Sequence, residues 1–219
     1  MIVLDIESSG IDTGRCGIWQ IGALELENPR NSFFQEGKID EEDIIEESAL
    51  RVIGKTEENL RDLDKQFQKE LILNFLDWTK RCKEKLFLGQ NIGWDLNFIQ
   101  NKCLKYGIMN KFRETVGQRG IDLHTLAQQK YYEVYKKYFL KEKGSSNMNT
   151  TTILNFCGIP DKRIKIKEGS KQGGVEKDGN PHNAREDCRL EGEAYYRLTY
   201  GKTHFPEYSQ FKIPTYLIK

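Results

Sequence analysis

A chain of 219 residues is long enough for one ordinary domain with a real core, and its 11 Phe, 10 Tyr and 3 Trp argue against disorder although 31% of the residues are charged. No run approaches the roughly 20 apolar residues that span a bilayer and no leader pattern opens the sequence, so the expectation is a soluble, cytoplasmic protein without membrane partners. The net charge of +1 is uninformative, but residues 25–70 carry 14 acidic against 7 basic side chains and residues 130–177 carry 11 basic against 5 acidic. Such asymmetry fits either two solvated surfaces of opposite sign or a polyanion-binding face. Cys16, Cys82, Cys103, Cys157 and Cys188 are scattered without a paired metal-ligand spacing, so they read as reduced thiols and no zinc site is expected.

In chain order, the apolar run Ile2 to Ile6 predicts a first strand and Ile18 to Leu26 a second, with Gly10, Gly14 and Gly17 in the connection. Residues 31–39 supply a third. Asp40 to Asp43 places acidic residues where a helix dipole favours them, ahead of Ile44, Ile45, Ala49, Val52 and Ile53 at helical spacing, so a helix is expected from Asp40. Phe67, Leu71, Phe75 and Trp78 repeat the helical pattern over 66–83, and Leu86 to Leu88 reads as a buried strand. Asp95 to Tyr106 and Asp122 to Phe139 are further predicted helices. Residues 168–180, with four glycines and no apolar period, are expected to form a mobile loop. This alternation indicates an α/β domain, taken as one unit over 1–219 with its core over 2–200 and a C-terminal extension over 201–219.

Three local features carry chemistry. Asp5 and Glu7 lie two apart on an apolar strand, so both carboxylates point to one face, where burial requires a cation or a basic partner. A salt bridge would satisfy them as well as a metal ion. Asp95 follows the strand at 86–88 through Gly89, Gln90, Asn91, Ile92, Gly93 and Trp94; for an isolated Asp here a helix-capping or dipole role is the plainer explanation. His182 stands just outside the last helix, for which Asn183 and Glu186 have capping-box spacing, and Asp187 follows one turn in, where pairing with an arginine is the plain alternative.

Asp-x-Glu-x-x-Gly on strand one, Asn-Ile-x-x-Asp after a buried strand and His-x-Ala-x-x-Asp opening a late helix resemble, in order, the three motifs of the DEDDh exonucleases, DnaQ-like nucleases of the ribonuclease H-like superfamily. The segments Ile121 to Ala127 and Ile153 to Ile159 are similar to connectors of the same family, so the resemblance covers nearly the whole chain. It implies a ribonuclease H-like mixed five-stranded sheet flanked by helices, and a 3′-to-5′ exonuclease acting on single-stranded or 3′-frayed DNA or RNA. Asp5, Glu7, Asp95 and Asp187 would hold two divalent ions, Mg²⁺ or Mn²⁺, and His182 would be the general base. Ile11 would wedge against the terminal base, with Ser8 and Asn91 near the 3′ nucleotide. The donor chemistry agrees independently, since carboxylate-only ligand sets suit hard ions and a histidine suits deprotonation of water. Gln90 stands where the family usually carries His and Trp94 where Phe is usual, which puts substrate fit in question.

Two rival readings stay open. One is a catalytically weak module of the same fold that binds nucleic acid or a polymerase; the other is a phosphodiesterase or phosphatase for small nucleotides. Homodimerisation is also left open. The Lys- and Tyr-rich segment around Lys130, Tyr131, Tyr132, Tyr135, Lys136 and Lys137 would serve phosphate contact and base stacking, or simply be a half-buried helix.

Overall fold

The computed structural model describes residues 1–117, 119–166 and 175–218. Its centre is β1 (Ile2–Ser8), paired antiparallel with β2 (Ile18–Glu25) along its whole length; β2 pairs antiparallel with β3 (Asn28–Glu36). After α1 (Glu47–Ile53), α2 (Glu57–Leu60) and α3 (Gln68–Arg81), the short strand β4 (Phe87–Gly89) joins β1 on its other side in parallel. Next come α4 (Ile92–Lys105) and α5 (Met109–Thr115), and β5 (Gly120–Asp122) extends the sheet parallel to β4. The order β3-β2-β1-β4-β5 is the expected mixed five-stranded sheet.

The period-two alternation of β1 decides which face receives chemistry. Ile2, Leu4 and Ile6 pack with α3, α4 and α5 in one core that also takes Phe33, Phe75, Trp78 and Phe98. Val3 joins the opposite core, built on α6 (Leu123–Tyr135), α7 (Thr150–Phe156) and α8 (Ala184–Tyr200), so Asp5 and Glu7 share the α8 face. Helix α8 can lie directly on the sheet because Gly22 has no side chain: a Cβ there would stand 2.4 Å from the Ala184 carbonyl oxygen. Asn183 starts α8 as expected, its side chain accepting from the Arg185 and Glu186 amides, and the Ala184 amide donates to Gln20 Oε1 at 2.9 Å. Residues 201–218 close over this core, with Phe205 and Leu217 buried in it.

Several expectations need correction. The helix predicted from Asp40 begins only at Glu47. Residues 40–43 instead form a turn whose carboxylates are claimed by α4: the buried Lys102 donates to Asp43 Oδ1 at 2.7 Å, and Lys105 and Tyr106 reach Asp40. Tertiary partners outweigh a dipole preference worth only about 0.3–1 kcal/mol. Helix α4 starts at Ile92 rather than Asp95, and the helix predicted to Phe139 stops at Tyr135 because Lys136 turns left-handed at φ 57°. Residues 168–174 of the predicted loop lie outside the described residues, while Val175–Lys177 form a strand, β7, paired with β6 (Lys165–Ile166). All five cysteines are free and buried, and among the described residues no helix is long and apolar enough to cross a membrane.

Candidate active site

A cleft of about 310 Å³ opens where β1 ends, between the starts of α4 and α8, and it is lined by Asp5, Glu7, Ser8, Ile11, Asp95, His182 and Asp187. Seven of the eight residues singled out in the sequence therefore meet in one place. Asn91 does not line this cleft: it takes a left-handed conformation at φ 56° ahead of α4 and borders an adjoining cleft with His124, Ser146 and Asn149. Gln90 lines both.

Each functional side chain is fixed by the element that carries it. Asp5 and Glu7 share a face of β1 two residues apart, and Glu7 is 7% exposed. Asp95, 4% exposed in the first turn of α4, accepts from the Ile6 amide at 3.2 Å, which ties the helix to the strand. Asp187, in the first turn of α8, is buried opposite them. His182 is held from two sides: its amide donates to the Val52 carbonyl at 2.9 Å and its Nε2 bonds the Ile164 carbonyl at 2.9 Å. A carbonyl can only accept, so Nε2 carries the hydrogen and Nδ1 presents its lone pair to the cleft, 3.7 Å from Asp187 Oδ2. Ile11 is 76% exposed at the rim, where Trp94 Nε1 donates to its carbonyl at 3.3 Å; Ser8 donates to the Gly10 carbonyl at 2.7 Å.

Three further residues were not singled out in the sequence. Glu191 lines the cleft from α8, four residues after Asp187 and hence on the same helix face, a spacing that could have revealed it. Arg163 is buried beside the carboxylates: its Nε and Nη2 donate to Asp161 at 3.0 and 3.1 Å, and its Nη1 to Asp187 Oδ1 at 2.8 Å. The arginine pairing considered for Asp187 thus exists, but it uses one carboxylate oxygen and leaves the other facing His182. Nothing local in the sequence marks Arg163 or Asp161, because the contact joins residues 24 apart in the chain.

So many acids in one buried place perturb one another. Burial, then the charge of Asp187 and of Glu7, raises Asp5 well above the usual carboxylate range. Burial and Asp187 do the same to Glu7, with Arg163 pulling the other way. Burial pushes Asp95 up to about 8 despite its backbone hydrogen bonds, and burial with Asp95 and Asp187 raises Glu191. His182 is lowered by burial and by Arg163, which keeps the imidazole neutral. An acidic cluster that resists ionisation by itself becomes favourable when a cation joins it. The donor set fits one: ligand atoms of Glu7, His182 and Asp187 lie within 4.8 Å of one another, and Glu191 Oε2 is a buried acceptor with no hydrogen-bond partner among the described residues. The carboxylate oxygens suit a hard divalent ion, and the imidazole stands close enough to act on a water beside it.

No protein-family model matches the sequence, and no curated protein matches it. Solved structures match in fold. Exonuclease I of E. coli in complex with a dT13 oligonucleotide aligns with a TM-score of 0.61 at 14% identity, over 90% of this chain and 40% of that one. Cell-death related nuclease 4 (CRN-4) aligns with a TM-score of 0.61 at 16% identity, over 90% of this chain and 62% of its own. The zinc-bound form of the E. coli exonuclease I complex with single-stranded DNA gives 0.60 at 14%, over 87% of this chain and 38% of that one. The chain is therefore an α/β protein with the ribonuclease H-like fold of these nucleases, spanning about two fifths of exonuclease I and some three fifths of CRN-4. At such identities the likeness concerns the fold; function rests on the site.

Proposed function

We propose that this protein is a metal-dependent 3′-to-5′ exonuclease of the DEDDh type that removes nucleotides from single-stranded or frayed 3′ ends. The observation that carries this reading is the convergence of Asp5, Glu7, Asp95, Asp187 and His182 in one cleft at the end of β1, with the Glu7, His182 and Asp187 ligand atoms within 4.8 Å. Exonuclease I, a neighbour in fold, is seen with single-stranded oligonucleotides and in a zinc-bound form, which supports both the substrate class and the cation.

Asp5, Glu7, Asp95 and Asp187 would hold two divalent ions, Mg²⁺ or Mn²⁺. Such ions, when bound, polarise the scissile phosphate and stabilise charge on the attacking and departing oxygens. His182, its tautomer set by the Ile164 carbonyl, takes a proton at Nδ1 from the attacking water, and its depressed pKa keeps that nitrogen free at neutral pH. Arg163 keeps Asp187 oriented. Exposed Ile11 at the rim would press on the terminal base, with Ser8 beside the 3′ nucleotide and Asn91 in the adjoining cleft beyond Gln90.

Digestion of 5′-labelled DNA and RNA oligomers, single- and double-stranded, tests the proposal. The expected result is a ladder of stepwise shortening that requires Mg²⁺ or Mn²⁺ and stops at a blocked 3′ end. Cleavage in EDTA, or equal digestion of blocked and free ends, would overturn it, and metal binding without cleavage would favour a binding module.

A further inference from the structure

Beyond the four carboxylates that the two-ion reading uses, the cleft is lined by Glu46, which accepts from the Ile11 amide, and by Glu191, one of whose oxygens has no hydrogen-bond partner among the described residues. Glu191 is 2% exposed and projects from α8 on the face of Asp187; its carboxylate accepts from the Gln90 backbone amide, while its Oε2 is buried without a hydrogen bond among the described residues. Beside it at the end of β4, Gln90 Oε1 is likewise buried and unpartnered, while its Nε2 makes only a long 3.5 Å contact to the Met148 carbonyl. Both residues line the cleft of Asp5, Asp95 and Asp187.

Two buried acceptor oxygens lining one cleft call for an electropositive partner there. Among the described residues none provides it: Arg163, the basic side chain lining the cleft, commits Nε and Nη2 to Asp161 and Nη1 to Asp187. A carboxylate oxygen and an amide oxygen are hard-ion donors, and a bound water would find the same two acceptors.

We infer that Glu191 is a fifth carboxylate of the metal site, holding with the Gln90 amide oxygen a divalent ion or a water bound to it. The inference rests on the exonuclease reading of the same cleft and assigns it a ligand outside the Asp5, Glu7, Asp95 and Asp187 set.

Calorimetric titration of Mn²⁺ into the full chain without nucleic acid separates this from the function itself. Glu191→Gln keeps the shape and removes the charge; Mn²⁺ affinity should fall roughly 10- to 100-fold, the range for residues that support metal ligands. Glu191→Asp should restore part of it. Wild-type protein that binds no Mn²⁺ would overturn the exonuclease proposal and this inference together. Wild-type binding with an unchanged Glu191→Gln constant would overturn this inference alone. Circular dichroism checks that each variant folds; should Glu191→Gln not fold, Gln90→Met reads the same subsite, and unchanged Mn²⁺ affinity there would overturn the inference.

Discussion

Replacing Asp95 by Asn removes one ionisable carboxyl from a cleft that also holds Asp5, Glu7, Asp187 and Glu191. In the folded protein burial raises Asp95 from 3.8 to about 8, so the fold retains a proton that the unfolded chain releases near pH 4. A group with a raised folded pKa contributes stability that is complete below its unfolded pKa and lost as pH rises to the folded value. His182 acts in the opposite sense: its pKa is depressed from 6.5, so its contribution is present above 6.5 and lost as pH falls. The window free of the histidine is therefore pH 6.5 to 8. There each retained proton costs about 1.4 kcal/mol per pH unit, or about 2 kcal/mol over the window for Asp95 alone. Urea unfolding in EDTA should show wild-type stability declining through this window, and Asp95→Asn should decline by about 2 kcal/mol less. Mn²⁺ should stabilise the wild type increasingly as pH rises, because the ion binds the ionised cluster. Metal-free stability that is flat or rising from pH 6.5 to 8, with Asp95→Asn less stable than wild type at pH 8, would refute the account of this cleft as a cation site that strains the fold when empty of charge balance.

His182→Ala should lower single-turnover cleavage by roughly 10² to 10⁴ while leaving Mn²⁺ affinity nearly unchanged, as expected of a general base; calorimetry that instead shows lost metal would make Nδ1 a ligand. Lys102→Met should destabilise by about 3 kcal/mol, the lower end for breaking a buried ion pair, because Gln68 and Lys105 still reach Asp43. A loss under about 1 kcal/mol by chemical denaturation would mean the pair is dispensable.

Tyr131 packs against Phe139 and Phe156, whereas Tyr132 and Tyr138 stack on each other with centroids 5.0 Å apart and remain exposed. Of this segment's tyrosines Tyr131 is the half-buried one, while Tyr132, Tyr135 and Tyr138 are exposed.

What the sequence determined by itself was what depends on local period and spacing. The alternation of β1 placed Asp5 and Glu7 together against α8, and Asn183 marked the start of that helix, because strand pleating and capping act over a few residues. The tertiary structure decided the rest. Residues 40–43 look like a helix start, yet Lys102 and Lys105 from α4 bind their carboxylates and hold a turn. β5, three residues long, exists only because β4 offers it a parallel edge. Arg163 reaches Asp187 across 24 residues, and Glu191 joins the cleft only once α8 lies on Gly22 and buries it beside Gln90. Burial, which sets the protonation of every acid in the cleft, is a property of packed elements and has no signature in any single stretch of chain.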